Sequence, residues 1–81
     1  MTTSAQLRAA RSLLGIAQPT AANAAGVSVS TLKRAEGSIH PPASAEAVAA
    51  LRRAYEEAGV VFLDDEGQGS GIRLDVQGVG K

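Results

Sequence analysis

The sequence predicts a mainly helical domain, a bundle of about four helices followed by a C-terminal β-hairpin. Three observations predict it. Apolar residues recur at three- and four-residue spacing through the first two thirds of the chain. Within Gln18–Gly37, two short helical stretches meet at a glycine-containing turn. Beyond Gly59 the period changes to two, and Ile72, Leu74 and Val76 alternate with Arg73 and Asp75.

Thr3 or Ser4 caps helix 1, which runs to Leu14. Leu7, Ala10, Leu13 and Leu14 form its expected buried stripe, Gly15 ends it and Ile16 anchors the chain in the core. Arg8 and Arg11 share the polar side at i and i+3. They are either contacts to phosphate or a plain solvated cationic face.

Helix 2 begins near Gln18, and Pro19 suits a first helical position because it has no N–H to leave unpaired. Ala21, Ala22, Ala24 and Ala25 keep this helix thin enough to be packed from two sides. Gly26 permits the reversal, Val27 returns to the core and Ser28 caps helix 3. There Leu32 and Ala35 share one face, while Val29, Ser30, Lys33 and Arg34 lie on the other. Two cations, a hydroxyl and a small apolar side chain suit phosphates, base edges and thymine methyls.

The spacing Gln18…Ala22…Ala25-Gly26-Val27-Ser28…Thr31-Leu32…Glu36-Gly37 resembles the helix-turn-helix of the XRE family, the lambda-repressor and Cro-like DNA-binding domains. The likeness spans roughly Ala5 to Val60. It implies a lambda-repressor-like bundle with helix 3 in the major groove and Val29, Ser30, Lys33 and Arg34 reading bases. It also implies that Gln18 donates to a phosphate, and that Glu36 packs over the end of helix 3. Ser28, Thr31, Arg8, Arg11 and His40 are further phosphate candidates. Ala17, where the family often has a capping Ser or Thr, and Ala35, where a larger apolar residue is common, depart from the pattern.

In the connector Ser38–Ala43, Pro41 and Pro42 forbid helix and hold the chain extended. Ser44 caps the longest helix, Ala45–Ala58, and Glu46 stands near its positive end. Its expected stripe is Val48, Leu51, Tyr55 and Ala58, with Ala47 and Ala54 alongside, and Arg52 and Arg53 face Glu56 and Glu57 at i+4. Gly59 ends it. The hairpin then joins Val60–Leu63 to Ile72–Val76 through an acidic, glycine-rich connector.

The chain divides into a DNA-binding unit (residues 1–59), a hairpin (60–76) expected to dimerise through Val61, Leu63, Ile72, Leu74 and Val76, and a flexible tail (77–81). In this small domain the strands' apolar residues outrun the cover that one helical layer offers.

Residues 1–40 carry Arg8, Arg11, Lys33 and Arg34 against Glu36 alone, a net +3. Residues 41–81 carry Arg52, Arg53, Arg73 and Lys81 against Glu46, Glu56, Glu57, Asp64, Asp65, Glu66 and Asp75, a net −3. A basic working face and an acidic remainder follow, although the whole chain is neutral.

The chain has no cysteine, one histidine and two aromatic residues, Tyr55 and Phe62. That excludes a disulfide framework, a thiolate metal site and an aromatic stacking platform. A lone His40 cannot build a zinc site and has no marked nucleophile beside it, so no catalytic residue, metal or cofactor is expected. No apolar run spans a membrane and no signal pattern opens the chain, which makes the cytoplasm the expected compartment.

The leading expectation is a sequence-specific double-stranded DNA-binding transcriptional regulator, a homodimeric repressor or autoregulator. The alternative is an antitoxin or adaptor whose hairpin binds a basic partner protein.

Overall fold

The computed structural model describes residues 2–64, 69 and 71–74. Its elements are α1 (Ser4–Leu14), α2 (Gln18–Ala25), α3 (Val29–Ala35), α4 (Ala45–Glu57), β1 (Val60–Leu63) and β2 (Gly71–Leu74). The mainly helical bundle with a terminal hairpin is therefore as the sequence predicts.

Local chemistry sets the helix ends. The Thr3 hydroxyl accepts from the Gln6 backbone N–H at 3.1 Å, and the Gln6 side-chain oxygen accepts from the Thr3 N–H at 2.9 Å. The two satisfy each other's orphan donors in a capping box. Gly15 and Gly26 close α1 and α2 at φ 69° and 72°, left-handed values that a side chain would strain. Ser28 and Ser44 each accept from the N–H three residues on. Ala17 gives α2 no side-chain cap, and Pro19 is the second residue of α2 rather than its first.

α2 packs against α3 and α4, α1 against α4 and β2, and β1 against α4. Between them lie Leu7, Leu32, Leu51 and Tyr55, each at most 1% exposed, with Ala10, Ala21 and Ala22 filling the close helix approaches. Val27, Ile16 and Val48 pack on the rim of this core.

Several sequence expectations shift. Leu13 is 44% exposed, because α1 turns Gln6, Leu7 and Ala10 inward and Leu13 falls outside that arc. Ala58 is the exposed C-cap of α4 rather than part of its buried stripe. Arg52 pairs with Glu56 at 3.0 Å as expected, but it also reaches Asp64 and lies 4.9 Å from the Phe62 ring centre. Arg53 and Glu57 stay exposed and form no ion pair with each other among the described residues.

In the hairpin, Val60 pairs with Leu74, Val61 with Arg73, Phe62 with Ile72 and Leu63 with Gly71. Val60 and Phe62 are buried and Ile72 packs against the core, whereas Val61 is half-buried and Leu63 is 42% exposed. The register thus separates residues that the sequence grouped for dimerisation: Ile72 is taken up by the chain's own core, and Leu63 is left outside. Val76 and the tail 77–81 lie outside the described residues.

Gln6 fastens the hairpin to α1. It is 3% exposed, and its side-chain nitrogen donates to the carbonyls of Leu63 at 3.1 Å and Gly71 at 3.0 Å. One amide so spans both strands at a paired position while its oxygen caps α1.

Candidate nucleic-acid interface

α3 is only seven residues long, so its orientation depends on what holds its ends. At the start, the Ser28 hydroxyl accepts from the Thr31 N–H and donates to the Thr31 hydroxyl at 2.9 Å. At the end, Glu36 is the C-cap and Gly37 turns the chain at φ 79°. A β-carbon on Gly37 would also meet Ser4 at 3.4 Å, which ties this turn closely to α1.

Glu36 is 1% exposed, and three side chains converge on it. Arg11 Nε donates to Oε2 at 2.6 Å and Arg11 Nη2 donates to Oε1 at 3.2 Å. Gln18 Nε2 donates to Oε1 at 3.3 Å, and Arg8 Nη1 donates to the Glu36 carbonyl at 2.6 Å. The hydrogen bond to Glu36 holds the Arg11 guanidinium above its ordinary pKa, against the opposing effect of burial. With both oxygens compensated, the buried carboxylate has the partners that offset its desolvation, so removing one of them would leave that cost uncovered.

This arrangement divides the expected phosphate contacts. Arg11 is partly buried and donates to Glu36 and, through Nη1, to the Ile16 carbonyl at 3.2 Å, which leaves only part of its guanidinium for the expected phosphate contact. Arg8 remains exposed with one guanidinium nitrogen engaged. Gln18 opens α2 and spends one of its two amide hydrogens on Glu36. His40 is exposed on the connector.

The outer face of α3 is less open than expected. Ser30 is exposed, Lys33 and Arg34 are half-buried, and Val29 is half-buried and packed against the core. Lys33 and Arg34 form no ion pair among the described residues. Arg34 Nε is shielded from solvent and has no hydrogen-bond partner among those residues. Two uncompensated cations therefore stand on a short helix whose end is braced from beneath.

A family described as a helix-turn-helix domain matches residues 4–61, and its members are of the XRE/Cro-like type. The chain belongs to this family. No curated protein matches the chain. The matched span of this helix-turn-helix domain takes in α1 to α4 and ends within β1, so the hairpin is largely an addition to it.

Gln6, which fastens the hairpin to α1, is a residue that sequence reasoning passes over although its signal is present. Thr3-Ser4-Ala5-Gln6 is a capping-box pattern, and the Gln at its fourth position has a side-chain N–H₂ left over for another partner. Among the described residues, no group of three or more His, Cys, Asp or Glu is placed to hold a metal ion. No helix there is long and apolar enough to cross a membrane.

Proposed function

We propose that this helix-turn-helix domain is a sequence-specific double-stranded DNA-binding regulator of transcription, acting as a homodimeric repressor or autoregulator. The observation that carries the proposal is the pair Lys33 and Arg34. Neither pairs with an acid among the described residues, and both project from a helix whose C-terminal turn is held by Arg8, Arg11 and Gln18 through Glu36.

In the proposed complex α3 lies in the major groove. Arg34 takes a guanine, whose two acceptors match the guanidinium fork, and Lys33 takes a phosphate or a second guanine. Ser30 reaches a base edge, and Val29 offers what remains exposed of its side chain to a thymine methyl. Gln18 uses its second amide hydrogen on a backbone phosphate at the start of α2, where the uncapped helix end favours an anion. Arg8, Ser28, Thr31 and His40 line the flanking backbone. No enzymatic step is assigned to these residues.

Selection of bound duplexes from a random pool tests the proposal. An enriched inverted repeat is expected. A pool that shows no enriched motif overturns sequence-specific binding.

A further inference from the structure

We propose that the groove between the first half of α4, the connector before it and the segment before α1 binds a small molecule. The ligand is neutral and apolar, with one carbonyl oxygen. Three separate stretches of chain wall the groove. Ala45, Val48, Ala49 and Arg52 stand at i, i+3, i+4 and i+7, so α4 turns a single face to it. Ala43 closes one side from the connector, and Thr2, the residue before the α1 cap, closes another. The groove holds about 450 Å³. That lies within the roughly 300–1,000 Å³ of small-molecule sites, whereas the concavity of about 190 Å³ between α1 and the hairpin falls short of it.

The floor sets the body of the ligand. Val48 is half-buried, and Ala45 and Ala49 are exposed and offer only methyl groups. An enclosed apolar cavity of about 150 Å³ holds a benzene-sized group, so this open groove has room for roughly ten heavy atoms.

The polar wall sets the functional group. Arg52 Nη1 donates to the Thr2 hydroxyl at 2.9 Å, and Nε donates to Glu56 at 3.0 Å. Nη1 also reaches Asp64 at 3.4 Å, so two carboxylates already stand beside the guanidinium. A carboxylate ligand would meet both acids, and an ammonium ligand would meet the guanidinium. Charge balance therefore favours a neutral occupant.

Donors remain on this wall. Nη2 makes no hydrogen bond with the described residues, and the Thr2 hydroxyl, which accepts from Nη1, keeps its own hydrogen to donate. No carboxylate or amide side chain lines the groove to receive a donor from the ligand. A carbonyl oxygen has two lone pairs and takes both hydrogens, and the bond from the guanidinium is of the stronger, charge-assisted kind. Arg52 also lies 4.9 Å from the Phe62 ring centre, so occupancy is felt in β1 as well as in α4.

Titration of the full, isotope-labelled chain with 2-heptanone, followed by amide nitrogen–proton NMR spectra, tests the proposal. Saturable shifts are expected at Thr2, along Ala45–Arg52 and at Phe62, with a dissociation constant of about 1 mM, as suits so small a ligand. Heptanoate has the same chain length with a charge in place of the ketone, and should bind at least about tenfold more weakly. Arg52→Met removes the donor and should weaken 2-heptanone by about tenfold. Ala49→Leu fills the groove from an exposed helical position, keeps the fold and should abolish saturable binding. The absence of a saturable shift by about 20 mM ketone overturns the proposal. So does heptanoate that binds as tightly as the ketone, or binding that either variant leaves unchanged.

Discussion

Arg11 grips Glu36 with two nitrogens, Nε 2.6 Å from Oε2 and Nη2 3.2 Å from Oε1, across a separation of 25 residues. The pair connects the helix that carries the hairpin to the end of the helix proposed to read DNA. Gln6 and Arg11 both stand on α1: one fastens the hairpin, the other fastens α3. α1 is therefore the common support of both.

Removing one member of the pair is expected to destabilise the fold strongly. Arg11→Met leaves a carboxylate at 1% exposure with only Gln18 at its side chain. Breaking a buried pair from one side costs about 3–5 kcal/mol. Urea denaturation followed by circular dichroism measures this, and the double variant Arg11→Met with Glu36→Leu should regain much of the loss. A single variant as stable as the parent would show that the pair contributes little.

Tyr55 gives a pH-dependent test. Its hydroxyl is buried and has no hydrogen-bond partner among the described residues, and burial, with Glu36 adding to it, pushes its pKa from 10.0 up to about 12. The folded state holds the proton that the unfolded chain releases, so stability falls as pH rises from 10.0 towards about 12. The loss across that window is on the order of 2–3 kcal/mol. Tyr55→Phe should remove this component and stay within about 1 kcal/mol of the parent at neutral pH, because no hydrogen bond is lost. Denaturation of the two proteins side by side isolates the effect, and the chain's one tyrosine can also be titrated directly by its ultraviolet absorbance.

Gln6→Glu should loosen the hairpin. An ionised carboxylate still caps Thr3 but cannot donate to the carbonyls of Leu63 and Gly71, two acceptors that it would instead repel. The expected cost is about 1–3 kcal/mol. Hydrogen exchange should rise first at Val60–Leu63 and Gly71–Leu74, with α2 and α3 little changed. Uniform acceleration would mean that the hairpin and bundle unfold together.

What was legible in the sequence was local. Gly15, Gly26, Ser28 and Ser44 mark helix ends because each meets the needs of its own few neighbours, and they stand where expected. Contacts between distant segments were not legible. Periodicity gives α1 an apolar side but not the edge of its buried arc, so Leu13 was placed inside. Strand alternation grouped Ile72 with Leu74 without saying which face meets the bundle, because register depends on the connector as well as on the strands. Arg11 was read as one of two surface cations because nothing nearby in sequence identifies Glu36 as its partner. Within the proposed site, the residue types on α3 were legible. The half-burial of Val29 and Arg34 was not, since it depends on how α3 packs on the core.

The last expectation concerns the electrostatics of the proposed complex. With Arg11 neutralised by Glu36, the cations free to meet phosphates near α3 are Lys33, Arg34 and the partly engaged Arg8. At roughly −0.9 per phosphate neutralised, a single half-site should show a log–log salt slope of about −2 to −3, and an inverted repeat about twice that. Replacing Lys33 with Ala should reduce the slope by about one unit and weaken all sequences alike if Lys33 meets a phosphate. Arg34→Ala should cost about 1–3 kcal/mol at one base pair and leave other positions unaffected, because a lost guanine contact is specific to its base. Titrations on an operator and its single-base variants at several salt concentrations separate these outcomes. A slope near zero would mean that phosphates contribute nothing to binding, and an Arg34→Ala profile identical to the parent's would move base reading to another residue of α3.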